Sequence, residues 1–198
     1  MLAGDGPSGV PLANEALALA RQIGAPALIA TALLEVGAAV VQTDPGQARA
    51  CLRESRELST ALGYQSARDL VWAAGVALFL NDRATTLELG RSAIRALQRG
   101  GDRLRMGLTL NMIAGTLAAT RPDAAAIILG FAGQAHVIDL GADANSQLIT
   151  SALAAALGEE RAGELRARGA DMDWDQAVAY TLAQATQALN EPESGTQP

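Results

Sequence analysis

The chain has 198 residues, 49% hydrophobic and 18% charged, which is enough apolar material for a core and rules out a disordered tail. Its net charge is −6 and all 15 basic residues are arginine, which argues against broad nucleic-acid binding through phosphate neutralisation. With one His, one Cys, no Lys and six aromatics, catalytic chemistry is poorly supplied.

Residues 1–10 read as a flexible leader. Gly4-Asp5-Gly6-Pro7-Ser8-Gly9 spells G-x-G-x-x-G, yet only three residues precede it. A dinucleotide fingerprint needs a strand there and a helix to receive the pyrophosphate. The start also lacks the basic and apolar regions of a signal peptide. From residue 11 onward, apolar residues recur at helical spacing, and no segment alternates with period two. The spacing predicts helices over 11–23, 26–42, 46–62, 65–80, 84–99, 103–119, 122–139, 145–157, 159–168 and 174–189. Gly24, Gly63, Gly100-Gly101, Gly141 and Gly158 stand where helices end, and Pro26, Pro45 and Pro122 stand where they begin. The 43 alanines fit this reading, because alanine has the best helix propensity and little volume. The apolar stretch from Ala25 to Val41 is interrupted by Glu35 and is too short for a membrane span. Cys51 has no partner, so a disulfide framework is absent and a reducing, cytoplasmic home is expected.

Self-similarity organises these helices. Leu33–Val40, Val71–Leu78 and Leu110–Leu117 align with small residues at Gly37, Gly75 and Ala114, spaced 38 and 39 apart. The second helices of the hairpins align too, ending at Gly24, Gly63 and Gly100. Two helices per 38-residue period is the mark of a helical-hairpin solenoid, and the small residue lets the paired helix approach closely. The pattern resembles a degenerate tetratricopeptide (TPR) repeat. The expected fold is therefore all-α: one domain over 11–189, a right-handed stack of about four antiparallel hairpins with a C-terminal capping helix, then a disordered tail over 190–198. In this register residues 11–23 are the second helix of a hairpin whose first helix is missing. The expectation is that the chain is a C-terminal portion of a longer architecture, or that it buries this open face on a partner or a second copy.

Candidate sites are few. Arg91, Arg95 and Arg99 form an i, i+4, i+8 row, with Arg103 and Arg105 just after the turn. Such a row suits a carboxylate- or phosphate-bearing partner. Its competing meaning is a solvated face, partly neutralised by Glu88. His136 has Asp139 as its nearest helical partner and nothing at metal-ligand spacing on its own helix. Asp171, Asp173 and Asp175 begin like a calcium loop, but Gln176 and Leu182 stand where Gly and Glu are needed. Asp173 with Gln176 reads instead as a helix cap. Trp72 and Phe79 share a face as packing residues, and Trp174 and Tyr180 are expected to dock the final helix onto the last hairpin. No catalytic residue, cofactor or metal is expected.

The last third carries a more specific pattern: Ala126-Ile127-Ile128-Leu129-Gly130-Phe131-Ala132-Gly133-Gln134-Ala135-His136, then Ala155-Ala156-Leu157-Gly158-Glu159-Glu160-Arg161, Leu165-Arg166-Ala167-Arg168-Gly169-Ala170 and Trp174–Ala183. It resembles the C-terminal end of the helical-repeat region in actinobacterial signalling ATPases, among them LuxR-type regulators and cyclase–ATPase fusions. The resemblance implies a non-catalytic interaction module of a bacterial signal-transduction or transcription regulator. Its partner would be another protein or a neighbouring ATPase or regulatory domain, with no direct contact to nucleic acid or membrane. The alternative is a sensor that holds a small effector in an apolar pocket between hairpins.

Overall fold

The computed structural model describes residues 9–63, 65–134 and 142–191, and over these the chain is all-α. The helices are α1 (Gly9–Ile23), α2 (Pro26–Val40), α3 (Pro45–Leu62), α4 (Ala67–Phe79), α5 (Arg83–Gly100), α6 (Arg103–Leu117), α7 (Pro122–Gln134), α8 (Ala142–Leu157), α9 (Glu159–Ala170) and α10 (Trp174–Asn190). The helix expected over 122–139 is described as far as Gln134. Residues 135–141, with His136 and Asp139, lie outside the described residues, as do 1–8 and 192–198.

The boundaries follow local chemistry. A helix leaves its first N–H groups without partners, and a short acceptor side chain just before it supplies one. Asp44, Ser66, Asp82, Asp102 and Asp173 each accept from the backbone N–H three residues on. Gln176 also accepts from the Asp173 N–H, which completes a capping box at the start of α10. At the other end of α3, Gly63 turns to φ 62°, and its N–H donates to the Ser59 and Thr60 carbonyls. A side chain would strain that left-handed backbone.

Neighbouring helices pack in sequence order: α1 on α2, α2 with α3, α4 with α5, α5 with α6 and α6 with α7. The helices α2, α4, α6 and α8 also touch in succession. Polar links repeat along the same direction. Arg21 pairs with Glu54 at 3.1 Å and Arg56 with Glu88 at 3.4 Å, while Arg68 pairs with Glu35. These exposed pairs contribute at most about 1 kcal/mol each. Stability rests on the core, where Leu34, Leu87, Ile94, Met106, Leu110, Ile113, Leu117 and Leu153 are almost wholly removed from water. A smaller cluster of Leu17, Ala20, Ala32, Leu33, Val36 and Cys51 fastens α1 to α2 and α3.

The small residues at the repeat positions are buried. A Cβ added at Gly37 would lie 3.4 Å from the Cys51 Cβ and 3.6 Å from the Ala48 carbonyl oxygen, so α3 does lie close against α2 there. The tightest crossing is one the repeat does not announce. A Cβ at Gly130 of α7 would run into the Arg166 carbonyl oxygen and stand 2.7 Å from its carbon. One at Gly169 of α9 would strike the Ile127 carbonyl oxygen and stand 2.8 Å from its carbon. Backbone therefore touches backbone between α7 and α9.

The placement of α10 corrects an expectation. Its contacts are with α5, α6 and α7, and not mainly with the last hairpin. Small buried residues on one face, Ala177, Val178, Thr181, Ala185 and Ala188, let it settle there. Arg83 donates to the Ala188 carbonyl at 3.3 Å and to the Thr120 hydroxyl at 3.2 Å. Arg121 donates to the Gln184 and Gln187 side-chain oxygens at 2.7 and 2.8 Å, and pairs with Glu191 at 3.1 Å. Both guanidiniums thus sit at the C-terminal end of α10, where unpaired carbonyls and the helix dipole favour positive charge. At the other end, the Trp174 ring meets Phe131 edge-on, with centroids 5.5 Å apart. Among the described residues no helix is long and apolar enough to cross a membrane.

Candidate interaction surface

The predicted arginine row is present on α5, and its members differ. Arg95 and Arg99 are exposed and Arg91 is half-buried. Among the described residues none of the three forms an ion pair, and the Arg91 Nε is buried without a hydrogen-bond partner. Arg103 lies round the corner on α6, where its guanidinium carbon sits 5.3 Å from the Trp174 ring centroid. That cation–π contact helps to hold α10. The structure therefore leaves Arg95 and Arg99 as the solvent-facing part of the row. Glu88 does not neutralise it, because its carboxylate turns across to Arg56 on α3. Arg105 pairs back with Asp102. The Asp102 carboxyl is held below its ordinary pKa, first by the Arg105 backbone N–H and then by the Arg105 side chain.

The second surface is the outer face of α1. Leu12, Ala16, Leu19 and Ile23 follow i, i+4, i+7 and i+11 and so form one stripe. Leu12 is 69% exposed, Leu19 51% and Ile23 67%. The opposite face, through Leu17 and Ala20, is buried against α2. Leu28, near the start of α2, adds another exposed leucine. Gly24 and Gly63 end equivalent helices 39 residues apart, which places Leu12 on Cys51 and Ala16 on Ser55. Cys51 and Ser55 are both buried, and the Ser55 hydroxyl donates to the Ala30 carbonyl of α2 at 2.8 Å. The first half of the stripe thus aligns with the face of α3 that lies against α2, while Leu19 and Ile23 align with half-buried Leu58 and exposed Leu62.

The third feature is a groove of about 670 Å³ between α3 and the corner joining α4 to α5. Arg49, Arg53 and Arg56 line its α3 wall at i, i+4 and i+7, above Leu52 and Leu80. Sequence reasoning passed over this row, although its spacing carries the same signal as the row on α5.

The remaining candidates find structural roles. Cys51 is buried, and desolvation pushes its thiol pKa up, with the Glu54 charge adding to the rise and Arg21 opposing it. A raised pKa keeps it a protonated thiol at neutral pH. Asp173 caps α10. Trp72 packs against the main core, but Phe79, expected to pack on the same face, is exposed, which corrects that expectation. Burial also raises the Tyr180 phenol pKa. Among the described residues no three His, Cys, Asp or Glu side chains are placed to hold a metal. Compared with known proteins, the chain matches no protein-family model, no curated protein and no solved structure.

Proposed function

We propose that this protein is a non-catalytic, TPR-like interaction module of a bacterial signal-transduction or transcription regulator. In this reading the hairpins form a right-handed stack that docks a protein partner or a neighbouring ATPase or regulatory domain. The observation that carries it is the apolar stripe Leu12–Ala16–Leu19–Ile23. Large side chains in line and in water mark an association surface. The repeat makes a helix a fitting occupant, because α2 covers α3 at Cys51 and Ser55, the positions that align with Leu12 and Ala16. The occupant is a helix of a partner or α1 of a second copy.

The test compares the wild-type chain with Leu12→Glu/Leu19→Glu. Both positions face solvent, so helicity by circular dichroism should be unchanged. Wild type should self-associate in sedimentation velocity, or capture from its host's lysate specific proteins that the variant does not. A wild-type chain that stays monomeric at its highest soluble concentration and captures the same proteins as the variant would overturn the reading.

A further inference from the structure

We infer that the groove along α3 seats an acidic helix of a protein partner. The groove one repeat further on shows what fits such a place. Between α5 and the corner joining α6 to α7, the space is taken by α10. There α10 runs antiparallel to α5: Arg83 at the start of α5 meets Ala188 near the end of α10, and Trp174 at the start of α10 meets Arg103 just past the end of α5. A helix therefore fills this kind of groove in this protein.

The walls of the two grooves differ in charge. A shift of one 38-residue repeat places Arg49, Arg53 and Arg56 on Leu87, Arg91 and Ile94. Leu87 and Ile94 are fully buried, whereas Arg49 and Arg53 are exposed and Arg56 is half-buried. Among the described residues Arg49 and Arg53 form no ion pair. Arg56 reaches Glu88 at 3.4 Å and the Thr85 hydroxyl at 3.5 Å. Two carboxylates also line the groove. Asp82 is committed to capping α5 through the Thr85 N–H, and Glu57 stands beside the row. Three arginines against Glu57 and Asp82 leave the lining one positive charge in excess, and since Arg56 is taken by Glu88 the charge free to meet a partner is that of Arg49 and Arg53. A helix lying antiparallel to α3 would match the arginines with carboxylates spaced three and then four residues apart. In α10 that spacing is held by Val178, Thr181 and Ala185. Carboxylates there would take the guanidiniums in charge-assisted pairs.

The proposal rests on the reading of the chain as an interaction module but not on the α1 stripe. The probe is a fluorescein-labelled peptide spanning residues 174–191 with Val178→Glu, Thr181→Glu and Ala185→Glu, and its control is the unmodified peptide. Anisotropy against the full chain should show the acidic peptide binding in a salt-sensitive way and the control binding weakly or not at all. Arg49→Glu/Arg53→Glu should weaken binding by about tenfold or more. Arg95→Glu/Arg99→Glu and Leu12→Glu/Leu19→Glu should bind the peptide as wild type does, which separates this groove from the other two surfaces. Three results overturn the proposal: an acidic peptide that binds no better than its control, equal binding by Arg49→Glu/Arg53→Glu, or displacement by free citrate at the peptide's own concentration, which would assign the groove to a small polycarboxylate.

Discussion

Replacing Gly169 by alanine tests the α7–α9 crossing most directly. The new Cβ would stand 2.8 Å from the Ile127 carbonyl carbon and 3.1 Å from its Cα, and closer still to the oxygen. Non-bonded carbons prefer about 3.5–4.0 Å, so the helices must part by roughly 1 Å. The obstacle is backbone and has no rotamer into which it can retreat. A gap of that size forfeits about a quarter to a half of each dispersion contact along the seam, which includes the buried Leu165 and Ala162. Overpacking of a rigid site costs up to about 3 kcal/mol or more, and the better helix propensity of alanine returns about 1 kcal/mol. The expected net loss is about 2–3 kcal/mol, a fall in Tm of roughly 4–12 °C for a chain of this size. Gly163 supplies the control: it lies on the same helix, and an added Cβ meets nothing within 4 Å. Gly163→Ala should therefore stabilise by about 0.5–1 kcal/mol. Urea and thermal unfolding followed by far-UV circular dichroism would measure both. Equal stability of the two variants would refute the backbone contact.

Three further outcomes follow from the same geometry. Arg121→Ala removes the donor that ties Gln184, Gln187 and Glu191 to α7, so amide exchange should quicken selectively in α10 at a cost of about 1–2 kcal/mol; uniform exchange would argue against this tie. Because the Asp102 pKa is lowered on folding, its contribution is complete above about pH 5 and lost as pH falls through the lowered value. Asp102→Ala should thus cost about 1 kcal/mol at pH 7, and its gap from wild type should narrow near pH 3; a gap independent of pH would count against the capping carboxylate. Burial raises the Cys51 pKa, so native protein should react with a thiol reagent far more slowly than protein in urea, and similar rates would contradict the buried, protonated thiol.

Much of the fold was legible because its causes are local. Asp173 was readable as a cap because it acts within three residues of itself, as Asp44, Asp82 and Asp102 also do in the structure, and Gly63 ends α3 through its own φ. The small residue at Gly37 marked a real close approach, since its neighbours in the repeat reveal the period. The apolar stripe on α1 was readable from the spacing of Leu12, Ala16, Leu19 and Ile23, and the structure adds that its three large side chains face outward. The arginine row on α5 was readable as a row. Its division into free Arg95 and Arg99, half-buried Arg91 and the ring-bound Arg103 was not, because the Trp174 that engages Arg103 belongs to a helix 71 residues further along the chain.

The sequence by itself determined that this chain is a succession of alanine-rich helices with a period near 38 residues and an apolar stripe along α1. Tertiary structure alone decided which grooves are filled. Gly130 and Gly169 are each an unremarkable glycine within a helix, and only their meeting brings α9 onto α7. That meeting is accompanied by α10 folding back between α5 and α7, under Arg83 and Arg121, while the arginine-lined groove on α3 stays open. The physical reason lies in range. Propensity, caps and periodicity act within a few residues, whereas the choice of a helix's neighbour depends on the shape and charge of surfaces that are distant in sequence and complete only after folding.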